Sequence, residues 1–538
     1  MAGIASLVSL CSLLYYLRQS DLLFYGDAVA HINIARRVFD SQTPGLLQLG
    51  TVWLPLPHLA MLPFLWSDTM WRNGTGGSIP SMIAYVLGVV GMFRLVRGLL
   101  EADPRTKPAA HVGAWTAAFC YGANPNLIYM QTTAMTECVY LALFIWAAVY
   151  FAEFVRGLPT NEPTEGRQPP AGRALARCAL CLAAAEFTRY DGWFLAGAMG
   201  AAVVIIVLWR WQDHGLRWVA VKFLLGIALA PILWLVYNGV VYGNALAFAT
   251  GPYSAKGIEQ RVGAPNPALH STGVAAIYFL KSAQLNMVHG NWGRFWLAAA
   301  LVVAALAIWK LRTLAPLLLL WVPLPFYALS IAYGSVPLHV YTWWPFATFN
   351  QRYGLQLLPM LAASSGVLAA SVFLIAASMR HVGKWVAVAV MLALVIIGYL
   401  SVWRSSPLCL QEARKQWNIR NSLNSAVEGV VAALPRGSRF LMDLAEHVGV
   451  MQQAGIPLRQ VVNNEDHRPW RRPSDPEGLW ERALADPPRY VDFVIAFDGD
   501  LVDQRVNRTN LAVLTEIHAT GQPHARIYSV RRAPNQSR

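Results

Sequence analysis

The chain has 538 residues, of which 56% are apolar and only 13% charged, and its mean hydropathy is +0.38. Soluble chains carry about a quarter charged residues, so a soluble globular protein is excluded. The apolar residues gather in runs of roughly 17–25, long enough to cross a bilayer as helices, rather than in the short alternating segments of a membrane β-barrel. The net charge of +14 falls largely in short loops between these runs, where Lys and Arg set orientation, so it is no sign of nucleic-acid binding.

Eleven spans are predicted, at about 2–17, 79–99, 110–129, 134–155, 173–188, 193–211, 217–241, 294–309, 313–333, 353–378 and 384–403. The first run lacks a basic leader and a clear cleavage site, so it is expected to be retained. The loops at 94–107, 156–177, 210–222, 310–312 and 380–384 are basic and alternate regularly. The positive-inside rule assigns them to the cytoplasm with the amino terminus inside, and an odd number of spans puts the carboxyl terminus outside. The opposite side then receives the loop 18–78, with amphipathic stretches 28–40 and 52–66 expected along the interface. It also receives the turn from Asn124-Pro125-Asn126 to Glu137, the Gly- and Pro-rich stretch 243–293, and 334–352. From about 404 the composition turns polar. A helix over 412–434 and short strands at Arg439–Met442, Gln460–Val462, Val491–Ala496 and Ala525–Val530 predict a small α/β domain. The expected fold is thus an α-helical polytopic membrane protein, 1–403, followed by an extracytoplasmic α/β domain, 404–538. Five of the six cysteines lie in apolar runs, and Cys178-x-x-Cys181 reads as buried small residues rather than a redox pair. No Gly-rich phosphate loop marks a nucleotide site.

The chemistry-bearing residues collect on the outer side. Asp27, in Tyr25-Gly26-Asp27, follows the first span. An acid at a membrane boundary is costly without a partner or a task, and Asp27 could be a general base, a metal ligand or a helix cap. Glu137 begins another span on the same side, where it could share a cavity with Asp27 or serve the positive end of its own helix, with Thr133 or Thr136 as cap. Arg189, in Arg189-Tyr190-Asp191-Gly192, suits a phosphate, or an ion pair with Asp191 or Glu186. Arg352, followed by Tyr353, is the better phosphate candidate; the alternative is interfacial snorkelling. His31 lies four residues after Asp27 and His58 on the same loop, so Asp27, His31 and His58 could hold a divalent cation, Mg, Mn or Zn. Tyr253 and Lys256, in a loop that reads as a lid, could touch an anionic substrate.

The order of these motifs resembles the GT-C superfamily of multi-spanning glycosyltransferases, in particular the relatives of protein O-mannosyltransferases and of the lipid A aminoarabinose transferases. The resemblance rests on Asp27 after the first span, on Asn124-Pro125 leading to Glu137, on Thr188-Arg189-Tyr190-Asp191-Gly192, and on Arg352-Tyr353 with Pro359. Two family features are missing: no second acid adjoins Asp27, and Trp343-Trp344-Pro345 replaces the Trp-Trp-Asp-Tyr-Gly of oligosaccharyltransferases. The resemblance implies a polyprenyl-phosphate sugar donor, a lipid, glycan or protein acceptor, Asp27 as base, and a phosphate held by Arg352 and Arg189, in a bacterial inner membrane. The rival readings are a polysaccharide polymerase-like assembly protein, which also uses lipid-linked sugars, and a lipid or solute transporter, which would carry charges in mid-span and repeated halves.

Overall fold

The computed structural model describes residues 1–158, 171–251, 254–262, 266–310, 313–334, 336–377, 381–444, 447, 449–466 and 478–531. All eleven apolar segments are helical over these residues. Among the described residues, eight helical runs are long and apolar enough to cross a membrane: Thr75–Glu101, Glu137–Arg156, Tyr190–Trp209, His214–Tyr242, Asn291–Trp309, Ala315–Tyr333, Gln351–Ala376, and Gly383–Ala432, which continues past the last apolar segment. The other three segments form shorter helices, Ala2–Arg18, Ala110–Gly122 and Ala171–Glu186.

Two expectations about the loops need correction. The segment 110–129 is not one helix. It stops at Gly122, and Asn124 caps a new turn, Pro125–Met130, by accepting the N–H groups of Asn126 and Leu127, with Pro125 at the position that tolerates proline. The stretch 243–293 is not mainly loop either, because a 16-residue helix, Thr272–Met287, occupies it. Its buried polar residues disguise it in the sequence: Ser282 and Asn286 both donate to the Gln351 carbonyl, at 2.7 and 3.0 Å. A third expectation also changes. The helix Gly26–Arg37 does not lie with one face open, since Ala28 through Arg37 are all buried. Its polar residues are taken up by protein: Asn33 bonds Gln452, Trp71 donates to Asn33, and Arg36 pairs with Asp40 and Asp68.

Small residues set how closely the helices approach. The helices Ala110–Gly122 and Leu358–Ala377 cross at Gly113 and Gly366, where a Cβ on Gly113 would stand 2.7 Å from the Gly366 carbonyl oxygen. Such contacts replace hydrophobic drive inside a bilayer. The cysteines are free, and Cys178 is buried with its Sγ 3.4 Å from the Ala147 carbonyl.

The carboxyl-terminal unit opens with the helix Leu408–Ala432 and carries a five-stranded sheet, β1 Phe440–Leu441, β2 Val461–Val462, β3 Phe493–Phe497, β4 Leu511–Ile517 and β5 Ala525–Val530, in the order β2-β1-β3-β5-β4. β1 runs parallel to β2 and β3, while β5 is antiparallel to β3 and β4. The two-residue period of strands separates its faces. Phe440, Ile495, Phe497 and Ile527 join the core that continues through the Leu408–Ala432 helix into the membrane helices. Leu441, Val494, Ala496 and Tyr528 form a second core with Trp480. β4 was not expected from the sequence. It is an edge strand, with Val513 and Leu514 exposed, so burial imposes no alternation on it.

Two predictions follow from packing and burial. Gly366→Val should lower thermal stability by about 1–3 kcal/mol, read as a fall in the melting temperature of the detergent-solubilised protein, because the added side chain meets the Gly113 backbone. The second concerns Asp500, which caps the turn after β3 by accepting the N–H groups of Asp503 and Phe497. Burial pushes its carboxyl up to about 6 despite those bonds. Its folded-state pKa thus lies above the unfolded value of about 3.9, so the folded state binds the proton more tightly. Stability should fall as pH rises from about 4 to 6 and then level off. Asp500→Asn keeps a cap and should abolish that slope in melting curves.

Candidate active site

The site is assembled from helix beginnings. Asp27 is the second residue of Gly26–Arg37, Glu137 the first of Glu137–Arg156, and Asp191 the second of Tyr190–Trp209. Each carboxylate therefore lies in the first turn of a helix, at the end where the helix dipole is positive. Arg352 enters from the short 3-10 helix Gln351–Leu357. That turn is held from behind by the Thr272–Met287 helix. Gly354 is required there, since a Cβ would stand 2.5 Å from the Ser282 carbonyl carbon.

Arg352 joins three carboxylates. Its Nη2 is 2.7 Å from Asp27 Oδ2, its Nε 3.2 Å from Glu137 Oε1, and its Nη1 3.1 Å from Glu412 Oε1. Arg189 adjoins it through the same Glu137 oxygen, at 3.2 Å from Nη1, and pairs with Asp191 at 3.1 Å. Tyr327 closes this second group by accepting from Arg189 and donating to Asp191. The Tyr353 ring lies beside both guanidiniums, at 5.2 Å from Arg352 and 5.6 Å from Arg189, and Tyr25 covers Arg352 at 5.2 Å, within cation–π range. Asp27 and Glu137 thus face one guanidinium, but they differ in access: the Asp27 side chain is 39% exposed and that of Glu137 1%. An accessible carboxylate can take a proton from a substrate, whereas an enclosed one can only orient its partners.

Several sequence alternatives resolve here. Thr133 and Thr136 do not cap the Glu137 helix; Thr133 bonds the Met130 carbonyl and Thr136 accepts from Arg189. Arg189 makes the expected pair with Asp191, but it also reaches Glu137. Glu186 contributes its backbone carbonyl to Trp193 instead. Arg352 does not snorkel outward, because it is buried among carboxylates. His31 and His58 face each other, Nδ1 to Nε2 at 2.8 Å, and Asp27 is engaged by Arg352, so the three do not stand as a ligand set. Among the described residues no three His, Cys, Asp or Glu side chains are grouped to hold a metal ion. Lys256 is exposed on the helix Ala255–Val262. Tyr253 lies outside the described residues.

Glu412 and Tyr327 are cluster residues that sequence reasoning missed, and Glu412 is the one that carries charge. It sits in the fifth position of the Leu408–Ala432 helix, and its Oε2 accepts the Gln351 N–H at 2.8 Å. The turn Asn124-Pro125-Asn126 ties that helix to Thr272–Met287, since Asn126 Oδ1 accepts the Cys409 N–H at 3.0 Å and Asn124 Nδ2 donates to the Asn286 carbonyl. A signal for it existed: a single acid set among Leu408, Cys409, Leu410 and Ala413, all of them buried.

In sequence, no protein-family model and no curated protein matches the chain. In structure it is similar to ArnT from Cupriavidus metallidurans, both bound to undecaprenyl phosphate (TM-score 0.55) and in the apo state (TM-score 0.54). Each comparison is at 12% identity and covers 98% of both chains. It also matches the oligosaccharyltransferase of Archaeoglobus fulgidus in its apo form, at 12% identity over 92% of this chain and 69% of that one, with a TM-score of 0.47. The likeness to ArnT is one of fold. The chain is a polytopic helical membrane protein that shares the fold of ArnT and carries a small carboxyl-terminal α/β unit, and the sequence led us to expect the helical membrane part and the α/β unit.

The cluster predicts an order of mutational cost. Arg352→Gln leaves two enclosed carboxylates, Glu137 and Glu412, short of a cation, and breaking a buried pair costs about 3–5 kcal/mol. Asp27→Asn removes a half-exposed partner and should cost about 1 kcal/mol or less. Melting of the two variants side by side checks this order, and equal losses would contradict it.

Proposed function

We propose that this chain is a membrane glycosyltransferase. It moves a sugar from a polyprenyl-phosphate donor to an acceptor on the non-cytoplasmic face of a bacterial inner membrane, with inversion. The observation that carries this reading is the pair Asp27–Arg352: an accessible carboxylate and a guanidinium in contact, fixed by enclosed acids. The undecaprenyl phosphate bound to ArnT, a protein of the same fold, supports the donor class. The orientation rests on the distribution of basic loops.

In this reading the donor phosphate approaches Arg352 and Arg189, which can pair its oxygens in two places. Asp27 releases Arg352 as the phosphate takes its place and turns to the acceptor. The acceptor hydroxyl or amine attacks the anomeric carbon from the face opposite the phosphate, and its proton passes to Asp27. The bond between the anomeric carbon and the phosphate oxygen breaks, and the lipid phosphate leaves with the electron pair. Glu137 and Glu412 keep Arg352 aimed while its charge meets the leaving group. The acceptor is a lipid, a glycan or a protein.

The test uses the purified protein with radiolabelled polyprenyl-phosphate sugars and follows release of the lipid phosphate. Asp27→Asn, checked for folding, should lose turnover by about 10²–10⁴-fold, the range for a general base. Turnover unchanged by the substitution would remove Asp27 from the role of base. Addition of one sugar per acceptor fits a transferase, whereas growing chains would favour the polymerase reading. Chelation followed by return of Mg, Mn or Zn in the same assay tests the cation expected from the sequence.

A further inference from the structure

The charges of the cluster do not favour an incoming anion. Asp27, Glu137, Asp191 and Glu412 stand against Arg189 and Arg352, and both guanidiniums are committed to carboxylates. Even after Asp27 leaves Arg352, that cation still faces Glu137 and Glu412. A phosphate bound there would meet like charges within a few ångströms, where a pair costs about 4 kcal/mol at an effective dielectric constant of about 20.

A third guanidinium adjoins the site. Glu412, Gln416 and Arg420 recur every four residues on the Leu408–Ala432 helix and so share one face. That face runs along the segment leading into Asp27. Gln416 Oε1 accepts the Gly26 N–H at 3.4 Å, and Arg420 Nη2 donates to the Leu23 carbonyl at 2.5 Å. Arg420 Nη1 stands 3.0 Å from the position a Cβ would take on Gly26, so the guanidinium lies close against the residue that precedes Asp27. Trp417 supports it from below at 5.4 Å and itself meets Phe24 at 5.3 Å. Its neighbour on the same helix, Arg414, is paired with Asp21 at 3.4 Å. Arg420 instead bonds a backbone carbonyl, which leaves its positive charge uncancelled by a bonded carboxylate, and Asp27 is the carboxylate that acts on it most strongly.

We propose that Arg420 is a substrate-binding residue that holds the phosphate of the polyprenyl carrier together with Arg352. It adds a third positive charge to a cluster in which four carboxylates face two guanidiniums. This rests on the function proposed above and adds to it that the helix after the last apolar segment contributes directly to donor binding. The expected ligand is a phosphate monoester on a long isoprenoid chain, and the phosphate, not the chain, is what Arg420 reads.

The test measures binding of undecaprenyl phosphate and of undecaprenol to the full-length protein in detergent. The proteins compared are wild type, Arg420→Gln and Gln416→Glu, with folding checked by melting. Glutamine keeps a donor for the Leu23 carbonyl but removes the charge. Glutamate at 416 keeps an acceptor for the Gly26 N–H and gives Arg420 a carboxylate partner, so the inference remains testable if the first variant does not fold. Each should weaken undecaprenyl phosphate binding about tenfold or more, equivalent to about 1.4 kcal/mol, and leave undecaprenol binding unchanged. In turnover, KM for the donor should rise more than kcat falls. Wild-type affinity for undecaprenyl phosphate in the folded variants would overturn the role of Arg420 and leave the proposed function standing. A wild-type protein that binds undecaprenyl phosphate no better than undecaprenol would overturn both.

Discussion

The site depends on one guanidinium that neutralises carboxylates from three distant parts of the chain. Arg352 offers three nitrogens in three directions, and each meets a different acid: Asp27, Glu137 and Glu412. A lysine has a single charged point and could not divide itself in this way. Burying any of these charges alone would cost several kcal/mol, so the first outer loop, the Asn124-Pro125-Asn126 turn and the helix after the last apolar segment are bound to one another through it. The acids also bring the field of their own helices, because Asp27, Glu137 and Asp191 occupy first turns. Helix amino termini converge on the guanidiniums, and the fold around them is the arrangement that permits this convergence.

The same pattern separates roles among identical functional groups. Asp27 and Glu137 share Arg352, yet only Asp27 has a face open to solvent or substrate. Environment rather than residue type therefore decides which carboxylate can exchange a proton. Glu137 sits between two guanidiniums, one oxygen serving both, and so fixes the distance between Arg189 and Arg352. The spacing of two cations that could hold a phosphate is set by an acid that need never touch one.

Much of this was legible in the sequence, and what was hidden was hidden for physical reasons. Apolar runs are long and uniform, so the eleven helical segments were found, and strand patterns located β1, β2, β3 and β5. Asp27, Glu137, Arg189 and Arg352, which the structure brings into contact, stood out in the sequence because charges at the edges of apolar runs are rare, and Tyr353 stood out beside Arg352. The break at Asn124 agrees with the turn expected there and has a local trace in the Asn124 cap and Pro125, so only the end of that span, set at 129, was misplaced. The helix Thr272–Met287 was misjudged because its polar side chains bond the backbone of another segment, as Ser282 does with Gln351, and such partners have no local trace. β4 escaped because an exposed edge strand needs no alternation. Glu412 escaped because it stands in what composition marks as the soluble part, and its partner is 60 residues away.

That last omission bears on how the chain is divided. The change of composition near 404 separates what faces lipid from what faces water, and it is natural to read a domain boundary there. The packing does not follow it. One core continues from the membrane helices through the Leu408–Ala432 helix to Phe440, Ile495 and Ile527. Asn126 accepts the Cys409 N–H, and Asn33 of the first outer loop bonds Gln452. The helix that opens the polar region carries Glu412 into the cluster and lays Gln416 and Arg420 against the approach to Asp27. If it were removed, Arg352 would keep two carboxylates, and the Gln351 backbone would lose its acceptor. The site would lose one wall as well as one charge. The charged cluster thus extends beyond the membrane-embedded part, and the first 403 residues alone do not contain all of its members.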